Sequence, residues 1–200
     1  LPLPVHLKEQ DILDQINVQK DVDGFHSENI GKLALNMPTF VPCTAGAIVE
    51  ILKHYEVDTK GKNAVICNRS KNVGLPIAMI LHSDGNLGGF DATTIICHRY
   101  TPAKELKYFL KSADIVISAT GIPNLITGDM VKEGCSVFDI GMTRSLDKHS
   151  GVYKLHGDVH YDSVKEKAAL ITPVPGGVGP LTVSCLVKNT ILAAKHVYFP

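Results

Sequence analysis

Between residues 60 and 140 the chain alternates short apolar runs with segments of helical periodicity, and this alternation limits the folds open to it more than any other feature. Apolar runs at 63–67, 92–97, 114–118 and 137–140 each have strand length, and helical segments at 74–82 and 102–111 separate the first three. Strands that are apolar along their whole length must be covered on both faces, and helices in βαβ crossovers supply that cover. The pattern predicts an α/β fold built on a doubly wound parallel sheet. A further apolar pair, Leu170-Ile171, and a helix over 181–197 complete it.

Upstream of the alternation the pattern is different. Ile12, Leu13 and Ile16 fall at helical spacing among charges and predict a short amphipathic helix over 8–17. The run Lys20-Asp21-Val22-Asp23-Gly24-Phe25-His26 reads as a polar turn, and on local chemistry alone a solvated one. Pro38, Pro42 and Cys43-Thr44 mark a crossing between subdomains near residue 43, with Thr44 as the expected N-cap of a helix over 45–54. The opening Leu1-Pro2-Leu3-Pro4 has the character of the middle of a domain, which leads us to expect chain upstream of it.

Composition narrows the partners. Twenty basic and twenty acidic side chains cancel, and no basic stripe interleaved with aromatics points to nucleic acid. No apolar run approaches the ~18 residues of a membrane span. The five cysteines, Cys43, Cys67, Cys97, Cys135 and Cys185, have no CxxC spacing and read as reduced core thiols, while the nine scattered histidines offer no metal-ligand cluster. Small polar or anionic ligands fit this balance best.

In a doubly wound sheet such ligands bind at the carboxyl ends of the strands. The residues there are Asn68, Arg69, Ser70 and Lys71 after the first strand, His98 and Arg99 after the second, Thr120, Gly121, Ile122 and Pro123 after the third, and Gly141 after the fourth. The first loop is not GxGxxG. In its place Arg69-Ser70-Lys71-Asn72-Val73-Gly74 sets two cations and a hydroxyl before a helix N-terminus, a combination suited to phosphate. Arg99 stands about where an acid would hold the ribose of NAD. It favours a phosphate there, whether the 2′-phosphate of NADP or a separate inorganic phosphate assisting NAD.

The second candidate surface is Thr172-Pro173-Val174-Pro175-Gly176-Gly177-Val178-Gly179-Pro180, between the last strand and the last helix. Its glycines admit a ligand close to the backbone and its prolines stiffen it, so it is either a binding platform or a tight turn. A catalytic base is harder to find. Tyr161 and Lys165 form a YxxxK pair on one helical face, but in a charged stretch away from the loops. His26, His98 and His156 read as polar surface, and Cys67 and Cys97 as core.

Six ordered motifs resemble the methylenetetrahydrofolate dehydrogenase/cyclohydrolase family along the whole chain. They are Leu1 to Pro4, Lys20 to His26, Pro42-Cys43-Thr44, Arg69 to Pro76, Gly157-Asp158-Val159 and Thr172 to Pro180. The stretches Ser70 to Gly74 and His98 to Pro102 look most like its mitochondrial, bifunctional, NAD-using branch. The resemblance implies a Rossmann-like NAD(P)-binding domain over 44–170, part of a folate and catalytic domain over 1–43, and a folate-site loop and returning helix over 171–200. It implies that Leu1, Asp23, Pro175, Gly176, Gly177, Val178 and Gly179 line the folate site, with Asp23 on the pterin and in the catalytic set. Asn68, Arg69, Ser70, Lys71, Arg99, Thr120, Gly121, Gly141, Met142 and Thr182 would hold NAD or NADP. In the NAD-using branch Arg69 and Arg99 would also hold inorganic phosphate, with Mg²⁺ nearby.

The implied chemistry is oxidation of 5,10-methylenetetrahydrofolate by hydride transfer, then hydrolysis of the methenyl product to 10-formyltetrahydrofolate. The resemblance further implies a homodimer, a mitochondrial location with a cytoplasmic one as the alternative, and no nucleic-acid or membrane partner. The family's catalytic lysine and its glutamine lie upstream of the Leu-Pro-Leu-Pro segment, outside this chain. A catalytically silent folate- or nucleotide-binding protein and a monofunctional NADP dehydrogenase are therefore the alternatives. Two positions depart from the family: Asn68, where glycine is usual, and Asn36, where the mitochondrial branch has an aspartate associated with Mg²⁺ and phosphate. With the first domain incomplete, apolar surface around residues 1–40 is expected to be uncovered.

Overall fold

The computed structural model describes residues 3–4, 6–146 and 153–197. The chain opens with α1 (Glu9–Leu13), a 3₁₀ turn at Val18–Lys20, α2 (Ser27–Ala34) and α3 (Cys43–His54). Then follow β1 (Asn63–Cys67), α4 (Gly74–His82), β2 (Thr93–Cys97), α5 (Ala103–Ser112), β3 (Ile115–Ser118) and β4 (Ser136–Asp139). A hairpin of β5 (Thr143–Leu146) and β6 (Tyr153–His156), then α6 (Tyr161–Lys165), β7 (Leu170–Ile171) and α7 (Val178–Ala194) complete it. The main sheet runs β2-β1-β3-β4-β7 with every pairing parallel, so the doubly wound α/β expectation holds.

The period of two in the strands decides which face each residue covers. Ala64 and Ile66 of β1, Ile115 and Ile117 of β3, and Phe138 of β4 face the layer of α3, α4 and α7, where Ile48, Leu52, Ile77, Leu81 and Val178 meet them. Val65, Cys67, Val116 and Val137 face the opposite layer, with Leu110 of α5 and Val164 of α6. The nearly continuous apolar strands are thus two interleaved sets serving two cores.

Three local expectations are corrected. The third helix starts at Cys43, its N-cap position is Pro42, and no side chain caps it, so Thr44 lies inside the first turn instead of before it. Pro42 does this because its fixed φ and missing N–H suit the residue that leads a helix in. The predicted helix over 8–17 is confined to Glu9–Leu13. The last helix starts at Val178 and ends at Ala194, three residues earlier than expected at both ends, so Val178, Gly179 and Pro180 form its first turn. Proline fits there because the first N–H groups of a helix have no internal partner.

Some apolar side chains stay in water, among them Ile12, Ile16, Leu35 and Met37 in the first forty residues, as expected. So do Val183, Val187 and Ile191, which share one stripe of α7. No helix among the described residues is long and apolar enough to cross a membrane.

Candidate functional site

At the carboxyl edge of the sheet, where the chain leaves β1, β2 and β3, a cavity of about 290 Å³ opens. It lies over β1, whose neighbours β2 and β3 leave in opposite directions, the switch point at which ligands of such sheets bind. Its lining includes Asn68, Arg69, Ser70, Arg99 and Thr120, five of the residues expected to hold a cofactor, and His98. Cys67 and Cys97 form part of its lining too. The Arg69 guanidinium lies over the Tyr100 ring, 5.6 Å from its centroid, and both Arg69 and Arg99 are exposed. Two cations therefore stand at the rim of a cavity with an apolar back.

The loop after β1 divides its tasks. Asn68 folds back upon it: Oδ1 accepts from Ser70 N at 2.6 Å and from Gly74 N at 3.2 Å, while Nδ2 donates to the Ala119 carbonyl after β3. Leu75 N donates to the Ser70 carbonyl. The first N–H groups of α4 are thereby occupied, so attraction for an anion at this loop rests on Arg69, Ser70 and Arg99. Gly74 is required, since a Cβ there would sit 2.2 Å from the Asn68 carbonyl oxygen. Lys71 turns the other way, its Nζ 3.1 Å from Gln10 Oε1 and 3.4 Å from Glu9.

The loops after β3 and β4 are held by two buried carboxylates. Asp158 accepts from Ser118 Oγ at 2.8 Å, from Thr120 N, and from Gly121 N at 3.0 Å. Asp139 accepts from Gly141 N at 3.0 Å, Asp158 N at 3.1 Å and Val159 N at 2.9 Å, and its own N–H donates to Thr172 Oγ1. Burial pushes the Asp139 carboxyl up to about 6, with the neighbouring Asp158 charge adding to the rise against its three N–H donors. A Cβ on Gly141 would meet the Asp158 carboxylate, and one on Gly157 would meet that of Asp139, both at 2.0 Å. Gly141 is buried and its neighbour Met142 exposed. Sequence reasoning passed over Asp139 and gave Asp158 no role. The available signal was an acid close to a glycine, at the end of an apolar strand in Asp139-Ile140-Gly141 and directly adjacent in Gly157-Asp158.

Through Thr172, Asp139 also anchors the proline-glycine platform beside β4. Pro175, Gly176 and Gly179 of the platform are exposed and Val178 is buried. The Val174-Pro175 peptide is cis. Gly179 has open space where a side chain would be. Thr182, one turn further on, donates to the Val178 carbonyl within α7.

The two acids of the turn at 20–26 divide between structure and solvent. Asp21 is buried and accepts from His26 N at 2.8 Å and Asn29 Nδ2 at 2.7 Å. Asp23 is exposed, with the Cys43 thiol 3.8 Å from its Oδ1. Gly24 takes φ +72° where a Cβ would lie 2.5 Å from the Phe40 carbonyl oxygen. Asn189 of α7 donates to the Val22 and Val41 carbonyls, at 2.8 and 3.1 Å. Eleven residues of helix separate Asn189 from Val178, about 16 Å along the axis at 1.5 Å per residue. Asp23 and the platform are thus set at two levels of one helix. Leu1, also expected here, lies outside the described residues.

Other candidates stand apart. Asn36 lines a separate groove with Phe90 and Lys188, at the end where β2 begins, away from Arg69 and Arg99 where β2 ends. No group of three or more metal-ligating side chains occurs among the described residues. Tyr161 and Lys165 do share a face of α6, the ammonium 5.9 Å from the ring centroid, away from the cavity lining.

The sequence pattern of the tetrahydrofolate dehydrogenase/cyclohydrolase NAD(P)-binding domain matches residues 42–198. The whole chain is 54% identical to the mouse bifunctional methylenetetrahydrofolate dehydrogenase/cyclohydrolase 2, mitochondrial, over 60% of that protein's length. It is 48% identical over 65% of the bifunctional protein FolD of Flavobacterium johnsoniae. Among solved structures, a 5,10-methylenetetrahydrofolate dehydrogenase from the silkworm Bombyx mori superposes with a TM-score of 0.89 at 51% identity, covering 98% of this chain and 66% of that one. The Trypanosoma brucei enzyme complexed with NADP and an inhibitor gives 0.89 at 41% identity, with 98% and 65% covered. The chain spans about three fifths of the length of the curated mitochondrial relatives it matches.

Proposed function

Because the chain belongs to the tetrahydrofolate dehydrogenase/cyclohydrolase family and matches its NAD(P)-binding domain, we propose that it serves the oxidation of 5,10-methylenetetrahydrofolate and the hydrolysis of the methenyl product. The observation that carries this reading is the convergence of Asn68, Arg69, Ser70, Arg99 and Thr120 on one cavity at the switch point of the sheet. The site suits a dinucleotide: two guanidiniums for phosphate and an apolar back.

In this reading Arg69 and Arg99 bind the phosphates and select among them, and Ser70 and Thr120 orient the sugar and pyrophosphate. A nicotinamide held there would supply the hydride acceptor. Asp158 and Asp139 keep the loops at Thr120-Gly121 and Gly141-Met142 rigid by taking up their N–H groups, which fixes the cofactor against the platform. Pro175, Gly176, Gly177, Val178 and Gly179 form the floor of the folate site. Asp23, exposed at the other level of α7, accepts hydrogen bonds from pterin N–H groups, and a substrate of ring, linker and aromatic tail spans such an interval. Water adds to the methenyl carbon to give the formyl product. The proton that must be managed falls to the lysine that the family resemblance puts upstream of Leu1.

Domain limits at 43 and 170 accord with this division, since α7 returns to the first segment through Asn189. The mitochondrial branch is favoured by the names of the most similar curated relatives, although bacterial FolD proteins are also near. Phosphate at Arg69 and Arg99 remains part of the reading for NAD use. The separation of Asn36 from those arginines argues against a Mg²⁺ shared among them. Self-association as a dimer is tested by sedimentation of the full protein.

The test of function is formation of reduced nicotinamide by the full protein with 5,10-methylenetetrahydrofolate, comparing NADP with NAD plus phosphate. Turnover that requires the folate is expected, and Asp23→Asn should raise KM for it about tenfold while leaving cofactor affinity unchanged, as loss of one charged hydrogen bond implies. Binding of both ligands without turnover would instead favour a silent binding protein.

A further inference from the structure

Cys67 and Cys97 are the last residues of β1 and β2, paired in register across two parallel strands. Both contribute to the same core face and both form part of the cavity lining described above. Neighbouring strands lie about 4.8 Å apart, inside the 4.4–6.8 Å range of Cα separations that a disulfide spans. On its other side Cys67 is also paired with Ser118 of β3, whereas Cys97 ends the edge strand β2, so adjustment falls mainly to Cys97.

The two thiols are electronically unequal. The neighbouring Cys67 thiol and the Thr101 hydroxyl lower the Cys97 thiol from its ordinary value, against the effect of burial. The Cys67 thiol is pushed up by the neighbouring Cys97 and by burial. Burial pushes the Cys43 and Cys135 thiols up to about 12 and about 11, and raises Cys185 as well. Cys97 is the one of the five cysteines whose thiol is lowered, and it lies in the cavity wall.

We propose that Cys67 and Cys97 form a peroxide-sensitive dithiol in the wall of the cofactor cavity, closing to a disulfide with a hydroperoxide as oxidant. The Cys97 thiolate attacks the peroxide, the O–O bond breaks, and a sulfenic acid forms while the peroxide is reduced and leaves, with a proton, as water or an alcohol. Cys67 sulfur then attacks Cys97 sulfur; the S–S bond forms, the S–O bond breaks, and hydroxide departs with the Cys67 proton as water. The Thr101 hydroxyl accepts from His98 N at 2.9 Å and so holds the loop that carries Arg99, which begins directly after Cys97. Closing the disulfide moves Cys97, the residue that leads into that loop. This coupling, unlike the dithiol itself, rests on the cofactor reading of the cavity.

The experiment treats the folded full protein with hydrogen peroxide, alkylates remaining thiols, and maps peptides by mass spectrometry. A peptide linked through Cys67 and Cys97 should form about tenfold or more faster than any modification of Cys43, Cys135 or Cys185, and dithiothreitol should reverse it. In Cys67→Ser, with folding checked by circular dichroism, the reaction should stop at a Cys97 sulfenic acid that dimedone traps. No linked peptide in the folded protein, or oxidation of all five cysteines at similar rates, would overturn the proposal. Saturating NAD or NADP should slow the linkage several-fold. Linkage at an unchanged rate would uphold the dithiol and count against the cofactor reading.

Discussion

Asn68 is one residue whose chemistry the sequence stated only in part. It stands where glycine is usual in the family, and its side chain lies along the loop and takes the N–H groups of Ser70 and Gly74. Asn68→Gly should free both donors and tighten NAD(P) binding about fivefold, roughly 1 kcal/mol, while lowering stability by a similar amount through the lost bonds and added chain entropy. Calorimetry beside thermal melting checks both signs, and unchanged affinity would mean that those N–H groups never meet the ligand. Asp139 makes a pH statement. An unfolded aspartate titrates near 3.9, whereas the folded protein holds this proton until about pH 6, so between those values the native state binds more protons and stability falls as pH rises. Denaturant midpoints should decline across that window in the wild type, and Asp139→Asn should flatten the decline. Asp14, Glu28, Asp114 and Asp129 are held below the ordinary carboxylate range by hydrogen bonds and lysine partners, so their contributions fade only at lower pH.

Among the elements, the strands and α4 were the most legible, because apolar runs bounded by polar loops have one sensible reading in a covered sheet. β1, α4 and β7 occupy the residues expected for them. The β5–β6 hairpin was not legible: Thr-Arg-Ser-Leu and Tyr-Lys-Leu-His lie outside the core and lack the alternation of a half-buried strand. The start of α7 was missed because glycine and proline, read as breakers, are tolerated in a first helical turn. α7 also shows why the turn at 20–26 resisted local reading. Its acids are sorted by contacts distant in sequence, with Asn189 holding Val22 and Val41, and Asn29 holding Asp21. Asn189→Ala leaves two carbonyls without this donor. It should cost about 1–3 kcal/mol of stability and weaken folate binding more than NAD(P) binding. Denaturant unfolding and paired titrations check this; equal loss of both ligands would mean that the turn and the cavity are not separate units.

For the molecule as a whole, the sheet brings loops far apart in sequence to one edge, and that edge was legible because a doubly wound sheet has only one place where such loops converge. The orientation of Lys71 toward Gln10 and the two-carboxylate support of the outer loops were not, since both depend on packing between distant segments. The central claim is that Arg69 and Arg99 make this edge a dinucleotide site. Calorimetric titration of NAD and NADP into the wild type and into Arg69→Ala/Arg99→Ala tests it most directly. The account predicts saturable binding that the double variant weakens at least about tenfold, with the greater loss for NADP, as removal of charge-assisted phosphate contacts requires. Equal affinity in the two proteins, with the fold intact by circular dichroism, would contradict it.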